Sequence, residues 1–295
     1  MEKYKVVILG AGISGMTAAI YLKRGGINPL IIESSVPGGV LNNIPSIENY
    51  PGYENISGPD LAMNIYKQVK DLDIKILLKK IDNIDLNKKI INNNIEYDYL
   101  VIATGRKHRL LGIERENELL GKGISTCALC DGFFYKDKEV VVVGGGSSAL
   151  TEALYLSNIA KEVTIVHRGN TFTGEKYLID KVNSTKNIKV TFNSNVTSYN
   201  INEDKLVSVT INNKDIIKAD GIFLSIGSTP NSELFNVDKD NSYVLVDSNY
   251  MTNIEDVYAV GDVIKKKYYQ LSTAASDAVV VASTIIDKEN KVLIY

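Results

Sequence analysis

The chain has two cysteines, and both fall in one stretch, Gly123-Ile-Ser-Thr-Cys127-Ala-Leu-Cys130-Asp131-Gly132-Phe133-Phe134-Tyr135. Thiols at this spacing can close a tight disulfide and reopen it. One thiolate attacks an incoming disulfide and the other resolves the mixed disulfide. Asp131, directly after the second cysteine, can shuttle the protons that thiol and thiolate exchange near neutral pH. Two other readings fit the pair taken alone: buried structural cysteines, or half of a metal site. A four-ligand zinc site needs two more Cys or His, and the two histidines, His108 and His167, stand in unrelated contexts. Redox chemistry is the reading favoured, and no metal is expected.

Such a pair needs a scaffold and a source of electrons, and the flanking segments suggest both. Residues 4–9 (YKVVIL) form a buried-strand run that leads into Gly10-Ala11-Gly12-Ile13-Ser14-Gly15 and then a helical pattern over 16–24. A second apolar strand, 29–32, ends in Glu33. Strand, glycine turn, helix, strand and acid in this order make the dinucleotide fingerprint in its full context. The glycines let the backbone approach a pyrophosphate at the helix N-terminus, and Glu33, 23 residues after Gly10, stands where a carboxylate holds an adenosine ribose. The Gly-, Pro- and Asn-rich loop 37–52, with Gly38, Gly39 and Asn49, is expected to wrap the rest of a long cofactor. Residues 59–72 read as an amphipathic helix. The strand 97–102 runs into Ala103-Thr104-Gly105, small residues suited to a close approach of backbone and cofactor. Arg106-Lys107-His108-Arg109 reads as a solvated turn.

After the cysteines the pattern repeats. Residues 139–143 are a strand, Gly144-Gly145-Gly146-Ser147-Ser148-Ala149 a glycine turn, 150–158 a helix and 163–166 a second strand ending in His167-Arg168. His167 lies 23 residues after Gly144, as Glu33 does after Gly10, so the chain carries two dinucleotide modules. A histidine in place of the acid does not repel a 2′-phosphate. Further on, 220–227 echoes the strand-to-glycine pattern, 257–263 delivers Gly261-Asp262, and Gln270 and Leu271 open a last helix, apolar along most of its length and expected to be buried.

Length and composition agree. The 295 residues suit about two domains. A 44% hydrophobic and 23% charged composition is that of an ordinary globular protein, and a net charge of −2 gives no basic field for nucleic acid. A strand begins at Tyr4 with no secretory leader before it, and no apolar run is long enough for a membrane span. A catalytic, transient disulfide fits a reducing, cytoplasmic setting.

The combination GAGISG, PGG…ENYPG, ATG, CALCDGFFY, GGGSSALTEALYLSNIA, HR and YAVGDV followed by a Gln-initiated helix resembles the low-molecular-weight thioredoxin reductases over essentially the whole chain. The resemblance implies an α/β fold of two Rossmann-like dinucleotide-binding domains, the second inserted in the first. Residues 1–114 and 245–295 would form an FAD domain, and 115–244 a pyridine-nucleotide domain carrying the redox pair. It implies that Gly10, Gly12, Gly15 and Glu33 hold the FAD adenosine and pyrophosphate, with Gly38, Gly39, Ala103, Thr104, Gly105 and Gly261 lining the site. Asn49 and Asp262 would contact the middle of the cofactor, and Gln270 and Leu271 the flavin edge. Gly144, Gly146, Ala149, His167 and Arg168 would receive NADPH. Cys130 would be the flavin-proximal sulfur, Cys127 the attacker of thioredoxin and Asp131 the acid–base. A homodimer is implied as well.

Two departures bear on the electron donor. NADPH-using members carry two arginines after the histidine and a third four residues on; here Arg168 remains, and Gly169 and Thr173 stand in the other places. An Arg that commonly precedes the helix-opening Gln is Tyr269 in this chain. A branch of the family takes electrons from ferredoxin instead, and Lys265-Lys266-Lys267 offers such a carrier a docking patch, or is a solvated loop. NADPH is the expected donor and ferredoxin the alternative. NADH use, a flavin-dependent dithiol oxidase and a redox sensor without turnover rank below them.

Overall fold

A computed structural model of the chain describes residues 1–44, 47–203 and 205–292, and side chains of the last helix up to residue 290. Pro45 and Ser46, inside the loop expected to wrap the cofactor, lie outside the described residues. The chain separates into two compact units. The first comprises Met1–Asn42, Ile47–Lys107 and the chain from Thr229 onward; the second is His108–Ser228 with the short piece beginning at Asn43.

In the first unit β1 (Glu2–Leu9) lies between β2 (Pro29–Glu33) and β6 (Ile95–Ile102), parallel to both. β3 (Lys75–Leu78) extends the sheet beyond β2, and the strand Val257–Ala259 also pairs in parallel with β6. β4 (Ile84–Asp85) and β5 (Ile90–Ile91) add an antiparallel edge. Strand alternation sends Val6 and Ile8 to one face, where they pack with Met16, Ala19 and Leu22 of α1 (Ile13–Arg24) and with the C-terminal helix Leu271–Val292. Val7 and Leu9 face the other way, onto Leu30, Ile32, Phe235, Val237, Val244 and Val263. The C-terminal helix buries one face, Ala274, Ala278, Val281, Ala282 and Ile285, while Ser272, Ser276, Ser283 and Asp287 are exposed. Its apolar composition reflects small residues that let it approach α1 closely: a Cβ on Gly25, at the end of α1, would fall 2.3 Å from Ile286.

The second unit repeats the plan. β8 (Glu139–Val143) pairs in parallel with β9 (Glu162–Val166) and with the strand Gly221–Leu224, which β7 (Ile124–Ser125) flanks. Beyond β9 lies β10 (Ile188–Thr191), and a three-stranded antiparallel sheet of Val196–Asn202, Lys205–Ile211 and Asp215–Lys218 covers one side. The Val-rich β8 and β9 are buried on both faces, as central parallel strands require.

The units divide at 107/108 and 228/229, where the sequence reading places boundaries at 114/115 and 244/245. The physical reason lies in the packing. Leu110, Leu111 and Ile113 join the core of the second unit, and the buried Glu116 carboxylate accepts the Leu111 and Gly112 amides at 2.9 and 2.7 Å and the Tyr199 hydroxyl at 2.5 Å. Phe235, Val237 and Val244 lie in the core of the first. Among the described residues no helix is long and apolar enough to cross a membrane.

Candidate active site

The helix that follows each glycine turn starts without a side-chain cap. α2 (Gly58–Asp71) shows the ordinary arrangement: Ser57 Oγ accepts the Asp60 amide at 3.2 Å. α1 and α4 (Ser147–Ser157) instead start on Gly12 and Gly146, both in extended conformation, with no side chain on the first-turn amides. Those N–H groups and the helix dipole favour an anion such as a pyrophosphate.

Around α1 the expected residues converge. Gly10 has φ of +106°, and a Cβ there would lie 2.4 Å from the Ala103 carbonyl oxygen, so the Ala103-Thr104-Gly105 turn sits directly against the glycine turn. A Cβ on Gly15 would lie 1.9 Å from the Gly10 oxygen, whereas one on Gly12 would meet no protein atom within 4 Å. The Gly38 amide donates to the Ala11 oxygen at 2.8 Å, and Gly39 lies beside the Gly12 Cα. Glu33 accepts the Ala11 amide at 2.7 Å and the Ser35 amide at 2.8 Å, which fixes its carboxylate at the mouth of the turn. Asn231, which the sequence did not single out, clasps the Ala103–Gly105 turn through its amide to the Gly105 oxygen (2.9 Å), its Nδ2 to the Thr104 oxygen (3.0 Å) and its own carbonyl, which accepts Thr104 Oγ1 (2.7 Å). Gly261 packs on Ser14 and near Ala274, in the first turn of the C-terminal helix. Asn49 Nδ2 donates to Gln270 Oε1 at 3.2 Å, bringing together two residues 221 apart in the chain.

This end of the first unit is electrostatically structured. Asp277, buried, accepts the Gly261 amide at 3.1 Å and Lys266 Nζ at 2.8 Å. Burial raises the Asp262 carboxyl above the usual carboxylate range, while Lys266 and Arg106 pull it back. Of the lysine run 265–267, Lys265 and Lys267 are exposed and Lys266 turns inward. Lys266 is committed to Asp277, Lys265 pairs with Asp240, and the Lys267 ammonium lies 5.1 Å from the Tyr268 ring centroid. Arg106 is not part of a solvated turn either; it is half-buried against two tyrosine rings.

In the second unit Gly144 has φ of +147°, and a Cβ there would fall 2.3 Å from the Ser225 oxygen and 2.8 Å from the buried Ala149 Cβ. The His167 ring lies over Gly145, takes part in an aromatic cluster with Phe172 and Phe192, and has Nε2 3.0 Å from the Thr171 oxygen. The loop then returns to the turn, the Thr173 amide donating to the Gly145 oxygen at 2.8 Å and the Glu175 amide to Ser147 Oγ at 3.0 Å. Arg168 is exposed on this loop and is the one cation in residues 167–175. The backbone therefore fits a dinucleotide, while the loop offers a 2′-phosphate a single guanidinium. Beneath the turn lies a pair that the sequence did not reveal: Glu152, buried, accepts a hydrogen bond from Ser225 Oγ, and burial pushes its carboxyl up to about 7.

The redox pair belongs to this second unit. Cys127 and Cys130 form a disulfide, with Cys127 capping the short α3 (Ala128–Asp131) by accepting the Cys130 amide on Sγ at 3.0 Å. Cys127 is 6% exposed and its amide donates to Ser125 Oγ, whereas Cys130 is on the surface. Tyr135 anchors the stretch to the sheet by an edge contact with Phe223 at 5.4 Å. Between these anchors Phe133 and Phe134 are 75% and 70% exposed, an adjacent pair of apolar side chains on the surface beside the disulfide. The sequence reading passed over both, although two adjacent aromatics beside the cysteines were a visible signal.

Residues 4–278 match the family model described as pyridine nucleotide-disulphide oxidoreductase. The chain is 39% identical over 305 aligned positions to the thioredoxin reductase of Rickettsia prowazekii, covering 97% of this chain and 98% of that one. Among solved structures it is similar to the thioredoxin reductases of Lactococcus lactis (TM-score 0.90, 32% identity, 97% and 99% of the two chains) and T. acidophilum (TM-score 0.91, 30% identity, 98% and 99%).

Proposed function

The chain belongs to the pyridine nucleotide-disulphide oxidoreductase family, and from that premise we propose that it is an FAD-dependent thioredoxin-disulfide reductase that draws on NADPH. The observation that carries this reading is the Cys127–Cys130 disulfide, built into the same unit as a second, complete glycine turn. Bound FAD would supply the two-electron relay between a pyridine nucleotide and a disulfide. In the first unit Gly12 would leave room for the cofactor, Gly10, Gly15, Gly38, Gly39 and Gly261 would let the turns around it pack closely, Glu33 would take the adenosine ribose, and Asp262 and Asn49 the middle portion. Gln270 and Leu271 would face the flavin edge. In the second unit Gly144, Gly146, Ala149, His167 and Arg168 receive the nucleotide.

Once the pair is reduced, the remaining steps belong to the chain. The Cys127 thiolate attacks one sulfur of thioredoxin's disulfide, forming a mixed disulfide and expelling a thioredoxin thiolate. The Cys130 thiolate then attacks Cys127 Sγ, closes the Cys127–Cys130 bond and releases dithiol thioredoxin. Asp131, next to Cys130, accepts the proton from the resolving thiol and returns it to the departing thiolate, and the thiolate expelled in the first step takes from solvent the proton that Cys127 gave up on ionising. Phe133 and Phe134 offer the partner an apolar landing beside the sulfurs. The protein works as a cytoplasmic homodimer.

Anaerobic mixing tests the reading. NADPH should bleach the flavin band, and steady NADPH oxidation should require oxidised thioredoxin. A protein that folds without retaining FAD would sink it. Ferredoxin is the second candidate donor, favoured by the single arginine in 167–175; it predicts a flavin that reduced ferredoxin bleaches and NADPH does not.

A further inference from the structure

Three segments assigned to the cofactor site in the first unit converge on one side chain outside that assignment. Arg106 directly follows the Ala103-Thr104-Gly105 turn. Its guanidinium carbon lies 4.9 Å from the ring centroid of Tyr269 and 5.5 Å from that of Tyr243, and those two rings lie 5.6 Å apart. Tyr269 immediately precedes Gln270 and the C-terminal helix. Arg106 and Lys266 are the two cations acting on Asp262, which Asp277 opposes. A guanidinium packed over aromatic faces is held in place by them, so it brings both a fixed charge and a mechanical link.

We propose that Arg106 is a positioning residue for the bound flavin: stacked on Tyr243 and Tyr269, it ties the Ala103–Gly105 turn, Asp262 and the start of the C-terminal helix into one wall and fixes a positive charge there. The inference rests on the FAD reading above. Two consequences follow. The wall shapes the site before the cofactor arrives, so losing the guanidinium weakens FAD binding. The charge favours the anionic reduced flavin over the oxidised one, so losing it makes the bound flavin harder to reduce.

The test compares wild type, Arg106→Gln and Arg106→Lys by FAD titration of the apoprotein and by the midpoint potential of the FAD-saturated protein. Arg106→Gln is expected to weaken FAD about tenfold, the effect of losing one modest charged contact, and to lower the potential. Arg106→Lys keeps the charge without the planar stack, so its potential should stay near wild type while its FAD affinity falls. Tyr269→Leu, which removes one stacking face and keeps the charge, should resemble Arg106→Lys; if Arg106→Gln does not fold, unchanged FAD affinity in Arg106→Lys and Tyr269→Leu would overturn the proposal. Unchanged affinity and potential in Arg106→Gln would overturn the proposal. So would equal loss of affinity in the Gln and Lys variants with no change of potential, the pattern of a purely structural residue. A wild-type protein that binds no FAD would instead remove the flavoprotein reading on which the proposal stands.

Discussion

Cys127 and Cys130 share a bond and differ in surroundings, and this makes their assigned roles testable one residue at a time. Cys127 is buried with its amide on Ser125, while Cys130 is exposed. With thioredoxin whose single remaining cysteine carries a thionitrobenzoate leaving group, Cys130→Ser should release that group and accumulate a covalent adduct on a non-reducing gel. Cys127→Ser should form little adduct, and neither variant should turn over. An adduct formed by Cys127→Ser and not by Cys130→Ser would exchange the two roles. Glu152 gives a second residue-scale prediction. Its folded-state carboxyl is pushed up to about 7 from an ordinary 4.5, chiefly by burial. A raised pKa means that the neutral form is the one the fold favours. The associated stability is full below the ordinary value and is lost as pH rises through the folded one. The wild-type melting temperature should therefore fall between about pH 4.5 and 7 through this group, by the equivalent of at most about 3 kcal/mol. Glu152→Gln, neutral throughout and still able to accept from Ser225, should flatten that slope. An unchanged slope in the variant would show that the carboxyl titrates normally.

At the scale of elements, the two glycine turns separate backbone packing from cofactor space. A Cβ on Gly15 would collide with the Gly10 carbonyl at 1.9 Å, so Gly15→Ala should lower the melting temperature of the apoprotein and abolish FAD binding together. A Cβ on Gly12 meets nothing within 4 Å, so Gly12→Ala should fold with at most a small loss of stability and still fail to hold FAD. FAD content after gel filtration and thermal melts of the apoproteins distinguish the two. These turns were legible in the sequence because their signal is local: strand, glycines, helix and acid follow within some 25 residues, and Glu33 and Ala103 both lie against the first turn. Arg106 was not legible, since its character depends on Tyr243 and Tyr269, which lie more than 130 residues away. Glu152 looked like any polar residue on a helix until Ser225 and the sheet closed over it. In the lysine run 265–267 one residue departs from its neighbours, since Lys265 and Lys267 are exposed and Lys266 is not. A charge run normally reads as solvated, and only the buried Asp277 shows why Lys266 is drawn inward.

Over the whole molecule two copies of one fingerprint divide the work, and their difference concerns the donor. The first copy ends in an acid whose carboxylate organises its own turn. The second ends in His167, whose ring covers Gly145, followed by a loop with one arginine. NADPH should therefore reduce the flavin while gaining only one cation for its 2′-phosphate, and NADH should trail it by a modest factor. Adding a cation to the loop should widen that gap. Gly169 is a poor place for it, since a Cβ there would press on His167 at 2.8 Å and disturb the ring over Gly145. Thr173 is better. Its hold on the turn is mainly through its backbone amide, which Thr173→Arg keeps, and the Thr173 side chain contributes a longer 3.3 Å contact to the same oxygen. A well-formed guanidinium–phosphate contact contributes about 1.5–3 kcal/mol, so Thr173→Arg should tighten NADPH by about tenfold or more and leave NADH nearly unchanged. Anaerobic titration of both proteins with each nucleotide, read at the flavin band, measures this directly. If neither nucleotide bleaches the flavin of either protein while reduced ferredoxin does, the second glycine turn no longer serves a nucleotide and the electrons enter from the carrier.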